Sequence, residues 1–432
     1  MGTRLEARGT VVRPSRRPLR GLLRMTPVVD HEQDGEKGDD AMTKTRREIL
    51  AGAAAAAALG KAGPAFAQEE TVAIGWTGPL SGGAALYGKN TLTGIEMAAR
   101  EINEAGGLKI DGKTCKLNVV ALDDKYSPSE AAVNAKRLRA QYKAPVIFCP
   151  HSGGNFAMQA FNEQDGFLIG AYTSVPQMTE RGNKLTLRIP PSFAGYVDPF
   201  IRMTMGGFGK KLGMAGADHD YAKAWAALMK PAWIKAGGTV VAENPMSYNK
   251  DSDFYSGVSR VTSADPNVMF VGGASEPTAL VIKQARELGF QGGFMVMDQA
   301  KLDEIAHVLG GYEQLEGAIG TLPVVFDPRP GPKDFVVRFR KAYNRDPGSE
   351  ASYNYSAMNA VADAMKLGGS TTDAAKIMAG LSESFKALPP PRNPSGITNV
   401  DANGGSNVLL TVAYVKGGKV VAIDAASGKA VD

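Results

Sequence analysis

The feature that most constrains the fold is an alternation of short apolar runs with segments of helical periodicity, which begins at Thr71. The runs Val72 to Trp76 and Leu117 to Leu122 have the length and composition of buried strands. The segment between them repeats apolar residues along one helix face and ends at Gly106-Gly107. Strand, helix and strand in this order predict a parallel sheet covered by helices on both faces.

The stretch from Val146 to Thr179 continues this alternation and indicates where a ligand binds. Its apolar runs, Val146 to Cys149 and Phe167 to Ala171, predict parallel strands joined by a helix. Ser152 follows the first run, and Thr173-Ser174 follows the second. Ligands of parallel sheets collect beyond the carboxyl ends of the strands, where free N–H groups and helix N-termini attract anions. We therefore expect half of a binding site here.

A second series of strands and helices follows Pro190-Pro191. Its predicted strands cover residues 212–217, 239–242, 268–271 and 294–297, with helical patterns over residues 335–344 and 351–367 after them. Two final β runs flank Gly417-Gly418 in the manner of a hairpin. Helices that follow the second sheet in sequence must pack somewhere, so we expect the chain to return to the first lobe and both lobes to be discontinuous.

Composition argues against disorder and against a polyanionic partner. The chain has 432 residues, 44% of them hydrophobic and 22% charged, which is ordinary for a folded protein with two to three cores. The net charge is +5, but 12 of the 49 basic and 8 of the 44 acidic residues lie within residues 1–67. The remainder holds 37 basic against 36 acidic residues, so we expect no nucleic-acid partner.

The N-terminal segment has the features of an export signal. Arg46-Arg47 precedes an alanine-rich run from Ala51 to Leu59, and Ala65-Phe66-Ala67 has the pattern of a cleavage site. These features resemble a twin-arginine signal cleaved after Ala67, with an apolar run too short to span a bilayer. We therefore predict an exported, soluble, periplasmic protein without a lipid anchor. Met42 would begin a signal of ordinary length, which leaves open whether residues 1–41 are translated.

The two cysteines and four histidines predict no metal and no cofactor. Cys115 begins one predicted strand and Cys149 ends the next, so a parallel pair would hold them beyond the ~7 Å that a disulfide permits. The histidines lack the spacing of metal ligands. The Gly-rich turn over residues 78–83 has neither the dinucleotide-binding nor the P-loop spacing. We expect two free thiols.

Short motifs in a fixed order carry a family resemblance. They are Ile74-Gly-Trp-Thr-Gly-Pro-Leu-Ser-Gly83, Ile102-Asn103-Glu104-Ala105-Gly106-Gly107, Asp123-Asp124, Tyr343 to Pro347 and Tyr355-Ser-Ala. From Thr71 to about Ile423 the sequence resembles the periplasmic substrate-binding proteins of branched-chain amino-acid ABC transporters, typified by the leucine/isoleucine/valine-binding protein. The resemblance implies an α/β fold of two Rossmann-like lobes with parallel sheets, joined by three crossovers and closing by a hinge on a ligand (a type I periplasmic binding protein).

The resemblance also implies domain boundaries and site residues. After a leader over residues 1–67, one lobe would comprise residues 70–190 plus 323–407, and the other residues 191–322 plus 408–424. Ser152 corresponds to the serine that takes the ligand carboxylate, and Asp298 to the acidic residue that receives the α-ammonium. The other implied contacts are Tyr172 and Ser174 after the next strand, with Tyr87 and Tyr221 as aromatic walls. No catalytic or metal-binding residue is implied.

Each of these residues also has a plainer explanation. Ser152 and Asp298 could cap the helices they precede, a role worth about 1 kcal/mol, and Tyr87 and Tyr221 could be half-exposed packing residues. The sequence also departs from the family. It has His151-Ser152-Gly153-Gly154 where a hydroxyl run is common, and Ala274-Ser275-Glu276 where aromatic residues are common. The ligand therefore stays open among an amino acid, an amide and an aromatic acid without an amine.

The resemblance predicts a non-enzymatic, monomeric receptor that delivers its small-molecule ligand to the permease subunits of an ABC importer. A ligand-sensing module for a signalling receptor is the alternative, since the same two-lobed fold serves both. A hydrolase is disfavoured, because Pro150 to Gly154 does not form the nucleophile-elbow motif and the adjacent His151 and Ser152 side chains should point apart.

Overall fold

The computed structural model describes residues 70–431. The export signal and cleavage site expected from the sequence lie outside these residues. Within them the fold is α/β, with two sheets of mostly parallel strands, as the sequence predicted. No helix between residues 70 and 431 combines the length and the apolar character that crossing a membrane requires.

The first sheet has six strands and is parallel apart from one edge hairpin. Its strands are β1 (Glu70–Gly78), β2 (Leu108–Ile110), β3 (Lys113–Asp123), β4 (Val146–Cys149), β5 (Leu168–Ala171) and β6 (Thr186–Arg188). Their order across the sheet is β2-β3-β1-β4-β5-β6, and only β2 runs antiparallel to its neighbour. Because β1 lies between β3 and β4, Cys115 and Cys149 are not on adjacent strands, and both thiols are free and buried.

The second sheet has seven strands and ends in the hairpin expected from the sequence. Its strands are β7 (Lys211–Gly216), β8 (Thr239–Glu243), β9 (Val268–Gly272), β10 (Gly293–Val296), β11 (Ala318–Thr321), β14 (Thr411–Lys416) and β15 (Lys419–Asp424); β12 (Asn399–Val400) and β13 (Ser406–Asn407) form a separate ribbon. The order is β15-β14-β11-β10-β9-β7-β8. Gly417 and Gly418 join β14 to β15 with φ angles of 59° and 69°, values that favour glycine.

Thirteen α-helices connect the strands within residues 70–431. They are α1 (Ala85–Glu104), α2 (Pro128–Tyr142), α3 (Ser152–Gln159), α4 (Asn162–Asp165), α5 (Gln177–Glu180), α6 (Val197–Phe208), α7 (Asp220–Lys235), α8 (Tyr255–Thr262), α9 (Ser275–Glu287), α10 (Leu302–Leu309), α11 (Pro330–Tyr343), α12 (Ser349–Leu367) and α13 (Ala374–Ala387). Helices α1, α3, α11 and α12 correspond to helical patterns in the sequence, whereas α6, α8, α10 and α13 were not predicted. In α6, Pro199 and the pair Gly206-Gly207 lower the helix propensity.

Helix α12 follows strand β11 of the second sheet in sequence but packs beside the first sheet. It lies against α1 in the core that also contains β1. The two helices approach so closely at Gly94 that a Cβ atom there would lie 2.2 Å from the Ala351 carbonyl oxygen. The small residues of α12, most of them buried alanine, serine and asparagine, permit this approach.

An aromatic stack behind the second sheet supports one wall of the candidate site. Trp225 on α7 is fully buried, with Phe193 stacked on it at a centroid distance of 4.4 Å and Phe200 at 5.9 Å. These rings hold the indole in one orientation, so its N–H group points in a defined direction.

Candidate functional site

All six residues that the sequence analysis proposed as ligand contacts line one cleft, whose empty volume is about 270 Å³. From the segments that follow the first-sheet strands come Tyr87, Ser152, Tyr172 and Ser174, and from the second-sheet side come Tyr221 and Asp298. The cleft lies at the carboxyl ends of β4, β5 and β10, where parallel sheets bind ligands. The structure therefore brings together residues that are up to 211 positions apart in sequence.

Three hydroxyl side chains form one end of the cleft. Ser152 Oγ and Thr173 Oγ1 share a hydrogen bond of 2.7 Å, and both residues are buried. Ser174 is 1% exposed, and its Oγ has no hydrogen-bond partner among residues 70–431. The N–H groups of Ser152 and Gly153, at the start of α3, have no intrahelical acceptor either, whereas the Gly154 N–H group donates to His151. Unpaired donors at a helix N-terminus can stabilise an anionic group such as a carboxylate.

The helix-capping explanation for Ser152 is wrong, because His151 caps this helix. His151 Nδ1 accepts a hydrogen bond of 3.0 Å from the Gly154 N–H group. The proton of a neutral imidazole is then on Nε2, which lies 2.9 Å from Asp124 Oδ2. Both ring nitrogens are thus engaged away from Ser152, whose hydroxyl remains available to the cleft.

His151 also belongs to the one group of potential metal ligands found within residues 70–431. Ligand atoms of Asp124, Cys149 and His151 lie within 4.8 Å of one another. Asp124 additionally accepts hydrogen bonds from the Thr77 hydroxyl and the Tyr126 N–H group. Since the imidazole and the carboxylate are both satisfied by protein donors and acceptors, the group serves as a structural support beneath the cleft.

Two tyrosines form the wall next to the hydroxyl residues. Tyr87 donates a hydrogen bond of 2.6 Å to the Pro150 carbonyl oxygen, which fixes its ring. Tyr172 lies beside it at a centroid distance of 6.0 Å. Both residues are 5% exposed, and burial raises the pKa of both phenols well above the usual range. The alternative explanation had Tyr87 and Tyr221 as half-exposed packing residues, but Tyr87 is buried and Tyr221 is also only 5% exposed.

Asp298 lies across the cleft and is held by the aromatic stack. Its Oδ1 accepts hydrogen bonds from the Tyr221 hydroxyl at 2.5 Å and from Trp225 Nε1 at 2.8 Å. Burial and the Asp298 charge raise the pKa of Tyr221, which keeps the phenol a donor. Helix α10 begins at Leu302 and its N-cap residue is Lys301, so Asp298 does not cap it. The other oxygen, Oδ2, receives no hydrogen bond from residues 70–431, so this fixed carboxylate can bind an ammonium group.

Tyr126 and Gln299 also line the cleft, although neither was predicted from the sequence. Gln299 Nε2 donates a hydrogen bond of 2.9 Å to the Tyr126 hydroxyl, which links the two sides of the cleft. Tyr126 has a φ angle of 64° and stacks on His151 at 4.6 Å. The adjacent pair Asp123-Asp124, whose side chains favour turns, is the sequence feature that could have indicated a turn here.

A buried group of charged residues lies behind the cleft, where helices beside the two sheets meet. Glu304 on α10 accepts hydrogen bonds from Asn90 Nδ2 at 2.7 Å and from Ser275 Oγ at 2.5 Å. Glu350 on α12 is fully buried, and neither of its carboxyl oxygens has a hydrogen-bond partner within residues 70–431. Lys301 Nζ lies 3.9 Å from Glu350. Ser275, at one of the departures from the family pattern, thus serves this group rather than the cleft.

The Glu304 and Glu350 carboxyl groups are close neighbours. A Cβ atom at Gly348 would lie 2.4 Å from one Glu304 oxygen and 2.3 Å from one Glu350 oxygen. Burial, followed by the Glu350 charge, raises the pKa of Glu304 to about 8. Two buried carboxyl groups at this separation cannot both carry a full charge at neutral pH without a large cost.

The geometry as a whole suits a zwitterion. Hydroxyl and N–H donors at one end match a carboxylate, and the free Asp298 oxygen at the other end matches an ammonium group. Burial strengthens both interactions, because few water molecules compete for the charges.

Comparisons with known proteins point to one family. The profile of the family described as periplasmic binding protein matches residues 71–419. The chain is 29% identical over 314 residues to the amino acid binding protein of Pseudomonas aeruginosa, a match that covers 71% of this chain and 80% of that protein.

Solved structures agree in fold. The leucine-binding protein of Thermotoga maritima superposes with a TM-score of 0.69 at 25% identity, covering 81% of this chain and 97% of that one. A solute-binding protein of an R. palustris ABC transporter, solved with benzoate, superposes with a TM-score of 0.70 at 20% identity, covering 84% and 97%.

Proposed function

Because this chain is a member of the periplasmic binding protein family, we propose that it is a solute receptor that binds an amino acid in the cleft and delivers it to the permease of an ABC importer. The observation that supports an amino acid most directly is the pairing of unpartnered donors at Ser174 and the helix α3 N-terminus with the carboxylate of Asp298 across the cleft. A zwitterion satisfies both ends at once.

The proposal assigns a role to each of the six residues. Ser152 and Ser174 bind the ligand carboxylate, together with the backbone of Tyr172. Asp298, oriented by Tyr221, binds the α-ammonium. Tyr87 closes the cleft over the ligand.

We further propose that the ligand is enclosed by closure of two lobes, residues 70–190 plus 323–407 and residues 191–322 plus 408–424. The contacts between Gln299 and Tyr126, between Asn90 and Glu304, and between Lys301 and Glu350 would then form on closure. Such contacts stabilise the closed form that a permease recognises.

The cellular context follows from the same proposal. The chain is exported through its twin-arginine signal to the periplasm, acts as a monomer and uses no cofactor. The amino acid binding protein of Pseudomonas aeruginosa, to which this chain is similar, supports an amino-acid ligand.

The receptor is proposed to be non-enzymatic. Hydrolysis by a serine nucleophile needs a base within hydrogen-bond reach of the hydroxyl. Ser152 Oγ bonds to Thr173, while both His151 nitrogens are occupied by Asp124 and the Gly154 N–H group. This arrangement supports binding without turnover.

A thermal-shift screen tests the proposal. The mature protein would be heated with each amino acid, with amides and with aromatic acids that lack an amine, because the R. palustris structure contains benzoate. A ligand present at 100 times its Kd adds about 2.7 kcal/mol to the free energy of unfolding. We expect a clear rise in Tm with at least one amino acid. A rise only with amine-free acids would contradict the amino-acid assignment, and no rise with any compound would contradict the receptor function.

A further inference from the structure

A second and larger chamber adjoins the cleft. Its empty volume is about 620 Å³, and it shares Tyr172, Pro190 and Asp298 with the cleft. A ligand whose carboxylate and ammonium groups occupy the cleft must direct its remaining atoms past these shared walls. The chamber therefore determines which side chain the receptor accepts, provided that the proposed amino-acid binding is correct.

The chamber is lined by hydroxyl groups that lack partners. The phenols of Tyr172, Tyr196 and Tyr353 form no hydrogen bond with any residue between 70 and 431. Burial raises the pKa of all three, so they are neutral groups that can donate. Thr321 Oγ1 is buried and also lacks a partner in this part of the chain. Each of these four hydroxyls can donate and accept a hydrogen bond, so a polar guest in the chamber could bond to groups that have no partner in the described part of the chain.

Apart from Asp298, the charged residues of the chamber already have partners within the protein. Arg329 contacts Asp327 through Nε at 2.9 Å and through Nη2 at 2.5 Å. Lys301 Nζ donates to the carbonyl oxygens of Asp298 and Gln299 and is 3% exposed. With Asp298 occupied by the ligand ammonium group, a charged ligand side chain would find no unpaired opposite charge among Asp327, Arg329 and Lys301, whereas an uncharged polar group would find several donors and acceptors.

We propose that the chamber selects amino acids with an extended, uncharged side chain that ends in a hydrogen-bonding group, such as a carboxamide, over aliphatic side chains of the same shape. An aliphatic side chain would fill the space but leave the hydroxyls unsatisfied. Sites built to hydrogen-bond a polar group reject analogues that lack it more strongly than apolar pockets reject an added polar group.

Isosteric ligand pairs test this selection by calorimetry. L-glutamine and L-homoleucine have the same branching, as do L-asparagine and L-leucine, so each pair differs in hydrogen bonding but hardly in shape. We expect each amide to bind at least about 10-fold more tightly than its hydrocarbon counterpart. If the hydrocarbon member binds equally or more tightly, the selection is overturned while the receptor function stands. If neither amide binds although the thermal-shift screen finds another ligand, the selection is overturned and the receptor function stands.

Two variants test whether the chamber hydroxyls are responsible. Tyr353→Phe and Thr321→Val each remove a hydroxyl with little change in shape. Each should raise the Kd of glutamine about 5-fold and leave the Kd of homoleucine unchanged. Tyr142→Phe is the matched control, because Tyr142 is 39% exposed and lies outside the chamber. Equal effects on both ligands, or no effect on glutamine, would overturn the role of these hydroxyls.

Discussion

At the scale of single residues, the local sequence predicts where some side chains of the site lie but not which groups they bond to. Ser152, Ser174 and Asp298 each follow a predicted strand, so sequence reasoning could place them at the ligand-binding edge. Their hydrogen-bond partners could not be predicted in the same way. Trp225 donates to Asp298 from 73 positions away, and the His151 ring that caps α3 is hydrogen-bonded to Asp124, 27 positions away. Side-chain partners of this kind depend on tertiary packing, which no local pattern encodes.

A substitution at Ser174 should weaken ligand binding without changing the stability of the unliganded protein. Its Oγ makes no hydrogen bond within the described part of the chain, so Ser174→Ala removes no internal interaction. We expect the Tm of the unliganded protein to change by no more than about 1 °C, because a substitution without a named structural cost changes stability little. The Kd of the best amino-acid ligand should rise about 10-fold, since the lost bond is made to a charged carboxylate. Calorimetry and thermal unfolding of the same sample measure both quantities.

Ser192→Ala provides the matched control. Ser192 Oγ accepts a hydrogen bond from the Ala194 N–H group and lies outside the cleft, so this change should affect stability but not affinity. An unchanged Kd in Ser174→Ala would remove Ser174 from the carboxylate site.

At the scale of elements, periodicity predicted the parallel strands well. The prediction for β4 matches its observed bounds, because four buried apolar residues are flanked by clear breaks. The edge strands β2 and β6 were missed, since each has only three residues. Helices α6, α8, α10 and α13 were missed as well. They are held in place by tertiary packing against their sheets, which supplies stability that intrinsic propensity does not.

The facing helices α10 and α12 make stability dependent on pH through Glu304. The titratable and charged groups around it are Glu350 and Arg345 from the first-sheet side and Lys301 and Asp303 from its own side. The pKa of Glu304 is about 8 in the folded protein, against 4.5 ordinarily. The folded protein therefore retains a proton that the unfolded chain releases, so this stabilisation is complete below pH 4.5 and is lost as pH rises through 8.

Glu304→Gln should remove this dependence. The amide is neutral at every pH and can still bond to Asn90 and Ser275. We expect the variant to become more stable relative to the wild type as pH rises from 5 to 8. The difference between the two free energies of unfolding should increase by at most about 1.4 kcal/mol per pH unit. Thermal unfolding at several pH values measures this difference. The exposed Glu383→Gln serves as control and should run parallel to the wild type. Parallel curves for Glu304→Gln would contradict the assignment.

At the scale of the whole molecule, the order of motifs was more informative than any single motif. The family resemblance is confirmed by the match over residues 71–419. The resemblance indicated which distant segments form one site. Periodicity alone could not do this, because it predicts the helices and strands but not how the two sheets face each other. The volume and polarity of the adjoining chamber could not be predicted, since they depend on where the chain passes between the sheets.

The central claim is that one ligand bridges the two sides of the cleft as a zwitterion. The most direct test is a calorimetric titration of the best amino-acid ligand and of its analogue without the α-amino group, with wild type and with Asp298→Asn. Removing one partner of a buried charge pair typically costs 2–5 kcal/mol. The wild type should therefore bind the analogue at least about 30-fold more weakly, and Asp298→Asn should discriminate little between the two. Equal affinity of the wild type for both compounds would contradict the claim.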